Sequence, residues 1–367
     1  MVGDGGVLPV HRDQTAARGG TLPGTTRRRA TVTVTAGGLL VLAVLVGVSV
    51  GAVPMDPQQV AVTLLNQVPG VHLHGGLGPL DTRVLLQIRL PRVVLTALVG
   101  GALAIAGAAY QGVFRNPLAD PYLLGAAAGA GLGATLVIAY SPLRQLGPVG
   151  VLPLAAFAGA LGGVGLAYAI GTAAGRGGGG SAILLLAGVA VASFLTAAQT
   201  VVQQRHADTL REVYTWILGQ LGTAGWHEVL LVLPYVAVTA TVLVLAGRAL
   251  DVLSVGEDEA SALGIHPRRV RLIVLAAASL STAAAVAVSG LIGFVGLVVP
   301  HVVRRLAGGS YRVVMPLSLV IGAAFLVAAD VVARTAIAPG ELPIGVVTAF
   351  VGAPFFAALL RVGGGDT

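Results

Sequence analysis

Ten apolar runs divide this chain. They fall near residues 32–53, 93–114, 122–140, 149–171, 182–203, 229–247, 272–290, 292–306, 314–333 and 344–361. Most approach the ~20 residues that a straight helix needs to cross a bilayer core. Apolar residues make up 56% of the 367 and charged residues only 10%, against about 25% charged in a soluble domain. A solvated surface cannot be built from so few charges, so lipid surrounds most of the chain. The expected fold class is an all-α polytopic membrane protein with about ten transmembrane helices. Several runs are short and interrupted by Gly or Pro, as in transporters whose broken helices line a cavity. The 53 glycines suit close packing of membrane helices through small residues.

All 22 basic residues are arginine, and cysteine is absent. Without cysteine there is no disulfide, thiolate nucleophile or cysteine-ligated metal. Without lysine there is no phosphate-cradling GxxxxGK[ST] loop, so the chain has no P-loop ATPase of its own. A Schiff base to retinal or pyridoxal phosphate is equally excluded. A net charge of +7 would point to nucleic acid in a soluble protein. Here it reflects arginines gathered in cytoplasmic loops, and no nucleic-acid partner is expected.

Residues 1–30 are polar and Gly/Arg-rich and end in Arg27-Arg28-Arg29; they read as a disordered cytoplasmic tail. The next run is longer than the apolar core of a signal peptide and lacks a clear cleavage site, so it reads as a first span. The membrane domain is expected over 31–362, with 363–367 a short tail. An even number of spans with a cytoplasmic start puts both termini in the cytoplasm. That topology places Arg12, Arg18, Arg27, Arg28, Arg29, Arg115, Arg176, Arg248, Arg268, Arg269, Arg271, Arg304, Arg305, Arg312 and Arg361 inside. It leaves Arg83, Arg89, Arg92, Arg144, Arg205, Arg211 and Arg334 outside. The bias runs in the direction of the positive-inside rule, and Arg89, Arg92 and Arg334 stand out as exceptions.

Two loops are more than connectors. The inner loop 248–271 holds EDEASALGI, a short helix with acids towards its positive N-terminal dipole, stopped by Pro267. Such a helix on the cytoplasmic face is a docking surface for another protein. The outer loop 204–228 holds LREVYTWILGQLG, expected as an interfacial helix with Trp216 at headgroup level.

The stretch AGAAYQGVFRNPLADPYLLGAAAGAGLGA, Ala106 to Ala134, joins two small-residue helices through Arg115-Asn116-Pro117-Leu118-Ala119-Asp120-Pro121. Two prolines and an Asn-Pro step are ordinary turn chemistry. Irregular backbone at membrane depth is also tolerated where it lines a cavity, which makes this turn a candidate inner mouth of a pathway.

With that turn the chain resembles the permease subunits of type II ABC importers, which take up ferric siderophores, haem and cobalamin. The resemblance rests on RLPR (Arg89 to Arg92), QGVFRNPLADPYLLG (Gln111 to Gly125), LLLAGVA (Leu184 to Ala190), WILGQLG (Trp216 to Gly222), GEDEASALGI (Gly256 to Ile265), GLIGFVGLVVPHVVRRLAG (Gly290 to Gly308) and DVVAR…ELPIGVVTAFVGAPFF (Asp330 to Phe356). It implies a bacterial plasma-membrane permease that pairs with a second copy, as a homodimer or with a close paralogue. It further implies two separate ATP-binding subunits and an extracytoplasmic substrate-binding protein. No cofactor is expected in this chain, since ATP belongs to the partner subunit, and no catalytic residues.

By the same resemblance, Arg89, Arg92 and Arg334 dock acidic residues of the binding protein. Arginine suits that role as a permanent charge with a bidentate fork. The plainer reading is that they anchor helix ends, with Arg334 tied to Asp330 four residues earlier. Glu257, Ala260, Leu263 and Gly264 match the segment that couples to the ATPase. Asn116 and Leu118 match a cytoplasmic gate. Ser181 is its weaker counterpart, because Arg176 is followed by four glycines, 177–180, which imply a flexible loop. His72 and His74 have no third ligand nearby in sequence, so no metal site is expected, and His301 reads as structural. The competing class is an ion-coupled secondary transporter, which predicts acids at the membrane centre. Asp330 and Glu341 fall near span ends instead. A membrane-embedded enzyme lacks any clustered chemistry.

Overall fold

The computed structural model describes residues 23–51, 53–141, 150–175, 181–222 and 224–363. Fourteen α-helices form these residues, and no strand occurs among them. They are α1 (Pro23–Ser49), α2 (Pro57–Leu65), α3 (Pro79–Val84), α4 (Leu90–Phe114), α5 (Ala126–Tyr140), α6 (Val151–Ala174), α7 (Ser181–Arg205), α8 (Leu210–Ile217), α9 (Trp226–Val255), α10 (Glu257–Ala262), α11 (Pro267–Ser289), α12 (Val295–Ala307), α13 (Tyr311–Thr335) and α14 (Ile344–Gly363). Each of the ten apolar runs is one helix. Seven are long and apolar enough to cross a membrane, and the α5 and α14 segments are shorter apolar helices.

The first helix starts at Pro23, so residues 23–30, expected in the tail, extend the span as a basic helical collar. The expected disordered tail over 1–22, the Gly-rich loop 177–180 and residues 364–367 lie outside the described residues.

Helix α4 is the axis of the bundle. It packs against α9, α11, α12 and α13, and nearly every residue from Val93 to Phe114 is buried. Small side chains permit this. A Cβ on Gly107 would overlap the backbone of Gly296 on α12, and one on Gly100 would overlap the backbone of Gly322 on α13. Only glycine lets those axes come so close, and in lipid such contact is a main source of helix association. One buried polar pair crosses between helices: Tyr110 of α4 and Ser279 of α11 share a hydrogen bond of 2.7 Å.

Two helices are too short for a full crossing. Helix α5 has 15 residues and α12 has 13, roughly 20 Å each at 1.5 Å per residue. Irregular backbone makes up the remaining depth, over 115–125 before α5 and 290–294 before α12. These two segments meet. The Tyr122 hydroxyl donates to the carbonyl of Ile292 and accepts from its N–H, both at 3.1 Å. Backbone that is not helical is thereby satisfied inside protein, as lipid demands.

Trp216 corrects the expectation of an interfacial tryptophan. It is 6% exposed and packs with Ile138, Ala283 and Val286 between α5 and α11. The reason is that the end of α8 is stitched inward by backbone bonds: Gln220 N–H donates to Ser289 O at 2.9 Å and Gly345 N–H to Leu218 O at 3.0 Å. Trp226 is the more exposed indole, donating to Leu86 O at 2.8 Å.

Candidate functional site

The three exceptional arginines converge on one end of the bundle. A single π-helical turn, Leu85–Arg89, precedes α4. Such a turn inserts an extra residue and re-aims the helix beyond it. Arg89 turns to the C-terminus of α1, donating to Val48 O at 3.1 Å, to Ser49 O at 2.9 Å and to Val53 O. These carbonyls have no helical partner of their own, and Arg89 is only 8% exposed. Arg334 of α13 reaches the same helix end, donating to Val50 O at 2.7 Å and Gly47 O at 2.5 Å.

Arg92 lies between two acids. Its Nη2 is 2.8 Å from Asp330 and its Nη1 2.9 Å from Glu341. Asp330, 1% exposed, is also 3.2 Å from Arg334 Nε, an ion pair without hydrogen-bond alignment. Glu341 is half-exposed in the loop after α13, and its hydrogen bond from Arg92 holds that carboxyl below its usual value. So α1, α4, α13 and the loop after α13 share one network of three guanidiniums and two carboxylates. The tie between Arg334 and Asp330 is the one their four-residue spacing suggests. The capping of α1 by Arg89 had no sequence signal, because the acceptors are backbone carbonyls some 40 residues away.

The turn after α4 lies at the opposite end. Arg115 adopts the left-handed conformation (φ 49°), and Asn116 N–H donates to Gln111 O at 3.2 Å, a Schellman stop. The Asn116 side chain accepts from Leu118 N–H at 2.9 Å, and Asp120 accepts from Tyr122 N–H at 2.8 Å. Each is an Asx turn, so both residues shape the backbone. Leu118 is 41% exposed. Ser181 is the first residue of α7. Gln111 and Arg304, which sequence reasoning passed over, brace this region: Arg304 donates to Gln111 Oε1 at 2.5 Å, and Gln111 donates to Gly296 O at 3.1 Å.

Helix α10 lies at that end too, between α9 and α11. Its four expected coupling residues divide by exposure. Ala260 is fully buried and Leu263 is 70% exposed. Glu257 pairs with Arg271 at 2.5 Å. Gly264 sits at φ +78° and closes the helix with a second Schellman motif, Ile265 N–H donating to Ala260 O at 2.9 Å. Ala260 and Gly264 therefore hold the helix, and Leu263 at its C-cap is the apolar side chain offered outward beside the exposed acids Glu257, Asp258 and Glu259. His72 and His74 are on an exposed loop before α3, and no group of three potential metal ligands occurs among the described residues.

Seven helices long and apolar enough to cross a membrane, with the shorter α5, α12 and α14 packed among them, define a multi-pass membrane protein. Residues 39–362 match the FecCD transport family, and the chain belongs to that family of ABC transporter permeases. It is 41% identical over 323 residues to the uncharacterised ABC transporter permease protein YvrB of Bacillus subtilis, covering 88% of this chain and 90% of that one. It is 42% identical over 356 residues to the cobalamin import permease BtuC of Halobacterium salinarum, covering 89% and 94%. With the hemin transport permease HmuU of Yersinia pestis it shares 41% over 281 residues, covering 75% and 82%. Among solved structures, an inward-facing conformation of a metal-chelate type ABC transporter superposes with a TM-score of 0.77 at 26% identity, over 92% of this chain and 99% of that one.

Proposed function

We propose that this chain is the membrane subunit of a bacterial ABC importer that carries a ferric siderophore, or haem or cobalamin, into the cytoplasm. The observation that carries the reading is the family match over nearly the whole chain, with relatives named for cobalamin and hemin among those it resembles. The chain works with a second permease copy and two ATP-binding subunits, and alternating access follows from ATP binding in those subunits. The end bearing Arg305 faces the cytoplasm, as the distribution of arginines favours. There α10 offers Leu263 to the ATPase, and Asn116, Leu118 and Ser181 border the inner gate.

The cluster of Arg89, Arg92 and Arg334 then faces outward and docks the binding protein. Arg92 makes the exchange, because Glu341 is a half-exposed carboxylate that an incoming acid can replace. Arg89 and Arg334 hold α1 in place behind it. Docking is thus linked to the arrangement of α1, α4 and α13. The ion-coupled alternative needs a free acid in the membrane, whereas Asp330 is held by two arginines.

Uptake of radiolabelled ferric siderophores, haem and cobalamin in cells with and without the gene tests this reading, together with an Arg89→Glu/Arg92→Glu variant. Loss of one cargo on deletion, and loss again in a normally inserted variant, supports cargo and docking together. Normal uptake by the variant removes the docking role. Absence of an ATPase from the purified complex removes the ABC reading. Because the chain has no cysteine, single introduced cysteines at 29 and 341 report the orientation by membrane-impermeant labelling.

A further inference from the structure

Helix α1 carries three consecutive exposed arginines, Arg27, Arg28 and Arg29, and brings Arg28 and Arg29 to the end of α12. Arg28 donates to Arg305 O at 2.9 Å. A Cβ built on Gly308 would lie 4.0 Å from Arg29 Nη2, so that guanidinium lies over the turn after α12. Arg305 is itself exposed in the last turn of α12. Arg28, Arg29 and Arg305 are thereby gathered, with Arg27 next to them on the same helical turn, and no ion pair with a described carboxylate involves any of the four. Asp251, the acid that accepts from the neighbouring residues, is occupied by Ser310 Oγ at 2.7 Å and Tyr311 N–H at 2.5 Å. Like charges so gathered call for a counter-charge from outside the chain.

The surface next to them says which kind. Among and beyond the exposed Thr31, Thr33 and Thr35, the exposed face of α1 becomes apolar: Val34, Leu39, Val41 and Leu42 are all more than half exposed. Only 17% of the apolar part of α1 is buried. A cationic collar followed along the same helix by an apolar face has the two halves of a phospholipid's own chemistry. Basic pockets between membrane helices at the headgroup level take anionic lipids.

We infer that Arg27, Arg28, Arg29 and Arg305 form a binding site for the headgroup of an anionic phospholipid, with its acyl chains along α1. Arg28 and Arg29 secure α1 to α12, and the lipid phosphate neutralises the cluster so formed. The site requires that the chain span a bilayer. It does not depend on the cargo, on the ATPase or on transport.

The test uses the full chain in nanodiscs of equal parts phosphatidylglycerol and phosphatidylcholine, with retained lipid counted by native mass spectrometry. The wild-type chain is expected to retain phosphatidylglycerol over phosphatidylcholine. Arg27→Gln, at a side chain with no hydrogen bond or ion pair among the described residues, is expected to lower that excess about fivefold, and Arg28→Gln/Arg305→Gln about fivefold for each arginine neutralised. Arg28→Lys/Arg305→Lys is expected to keep it. No preference in the wild-type chain, or an undiminished excess in Arg27→Gln, overturns the site. Displacement of the lipid by millimolar glycerol phosphate also overturns it, since the site then takes a soluble anion. Transport is not read, so failure here leaves the importer reading standing, and failure of that reading leaves this one standing.

Discussion

The hydroxyl of Tyr122 holds both backbone groups of Ile292, donating to its carbonyl and accepting from its N–H at 3.1 Å. One side chain thus clamps two non-helical segments that lie 170 residues apart. Each segment completes a half-length helix, so the clamp joins the start of α5 to the start of α12. Tyr122→Phe keeps the ring and removes the clamp. Two buried backbone groups are then left unpaired, at a cost of about 1–3 kcal/mol each. The variant is expected to melt lower in detergent and to transport poorly; an unchanged melt means that packing alone holds the segments.

Arg89 and Arg92 lie three residues apart and are expected to fail differently. Arg89→Gln uncovers the carbonyls at the end of α1 and is expected to lower thermal stability. Arg92→Gln also leaves the buried Asp330 without its hydrogen bonds, so it too is expected to lower thermal stability. In addition it is expected to weaken the binding-protein affinity about 30-fold or more, from the cost of truncating a desolvated charge pair. Calorimetric melting and a binding titration on the same two variants separate the effects. Equal loss of affinity in both assigns docking to the whole cluster.

Leu263, the C-cap of α10, is an exposed large apolar side chain, while Ala260 behind it is buried. Leu263→Asp is expected to abolish co-purification of the ATPase and to change stability by no more than about 0.5 kcal/mol, as for other surface substitutions. Retained ATPase in a pull-down places the coupling contact elsewhere on the loop.

Glycines in this bundle differ in what they tolerate. Gly107→Ala drives a methyl into the backbone of Gly296 and is expected to destabilise by about 1–3 kcal/mol. Gly162→Ala in α6 meets nothing within 4 Å and is expected to stabilise by up to ~1 kcal/mol through reduced backbone freedom. Detergent melting curves of the two variants, read side by side, check the contrast.

Glu341 carries a pH dependence whose sign is set by Arg92. The hydrogen bond from that guanidinium is the largest influence on the carboxyl and lowers it from the ordinary 4.5, against partial burial, which raises it. A lowered value means that the contribution to stability is fully present above pH 4.5 and is lost as pH falls through the folded-state value. Because Glu341 is 46% exposed, the pair is worth no more than about 1 kcal/mol. Glu341→Gln is expected to flatten the wild-type fall in melting temperature below pH 4.5. An identical fall in both chains assigns the acid sensitivity to another group.

Much of this protein is legible without coordinates. Hydropathy is a local property, so ten apolar runs name ten helices in order, and the missing lysine and cysteine exclude whole chemistries regardless of fold. Turn chemistry is local too: Asn116 and Asp120 bond two residues along their own chain, and the Arg334–Asp330 pair spans one helical turn. What the tertiary structure alone decided is where long side chains end. Arg89 caps a helix some 40 residues away, Arg92 meets Asp330 across 238 residues, and Trp216 is drawn into the core by bonds to two distant segments. The same holds for α5 and α12, whose apolar runs look like other spans but begin inside the bundle. These outcomes depend on which helices lie side by side and how closely. That is set by packing of small residues and by satisfying buried polar groups, neither of which is a property of any single stretch of sequence.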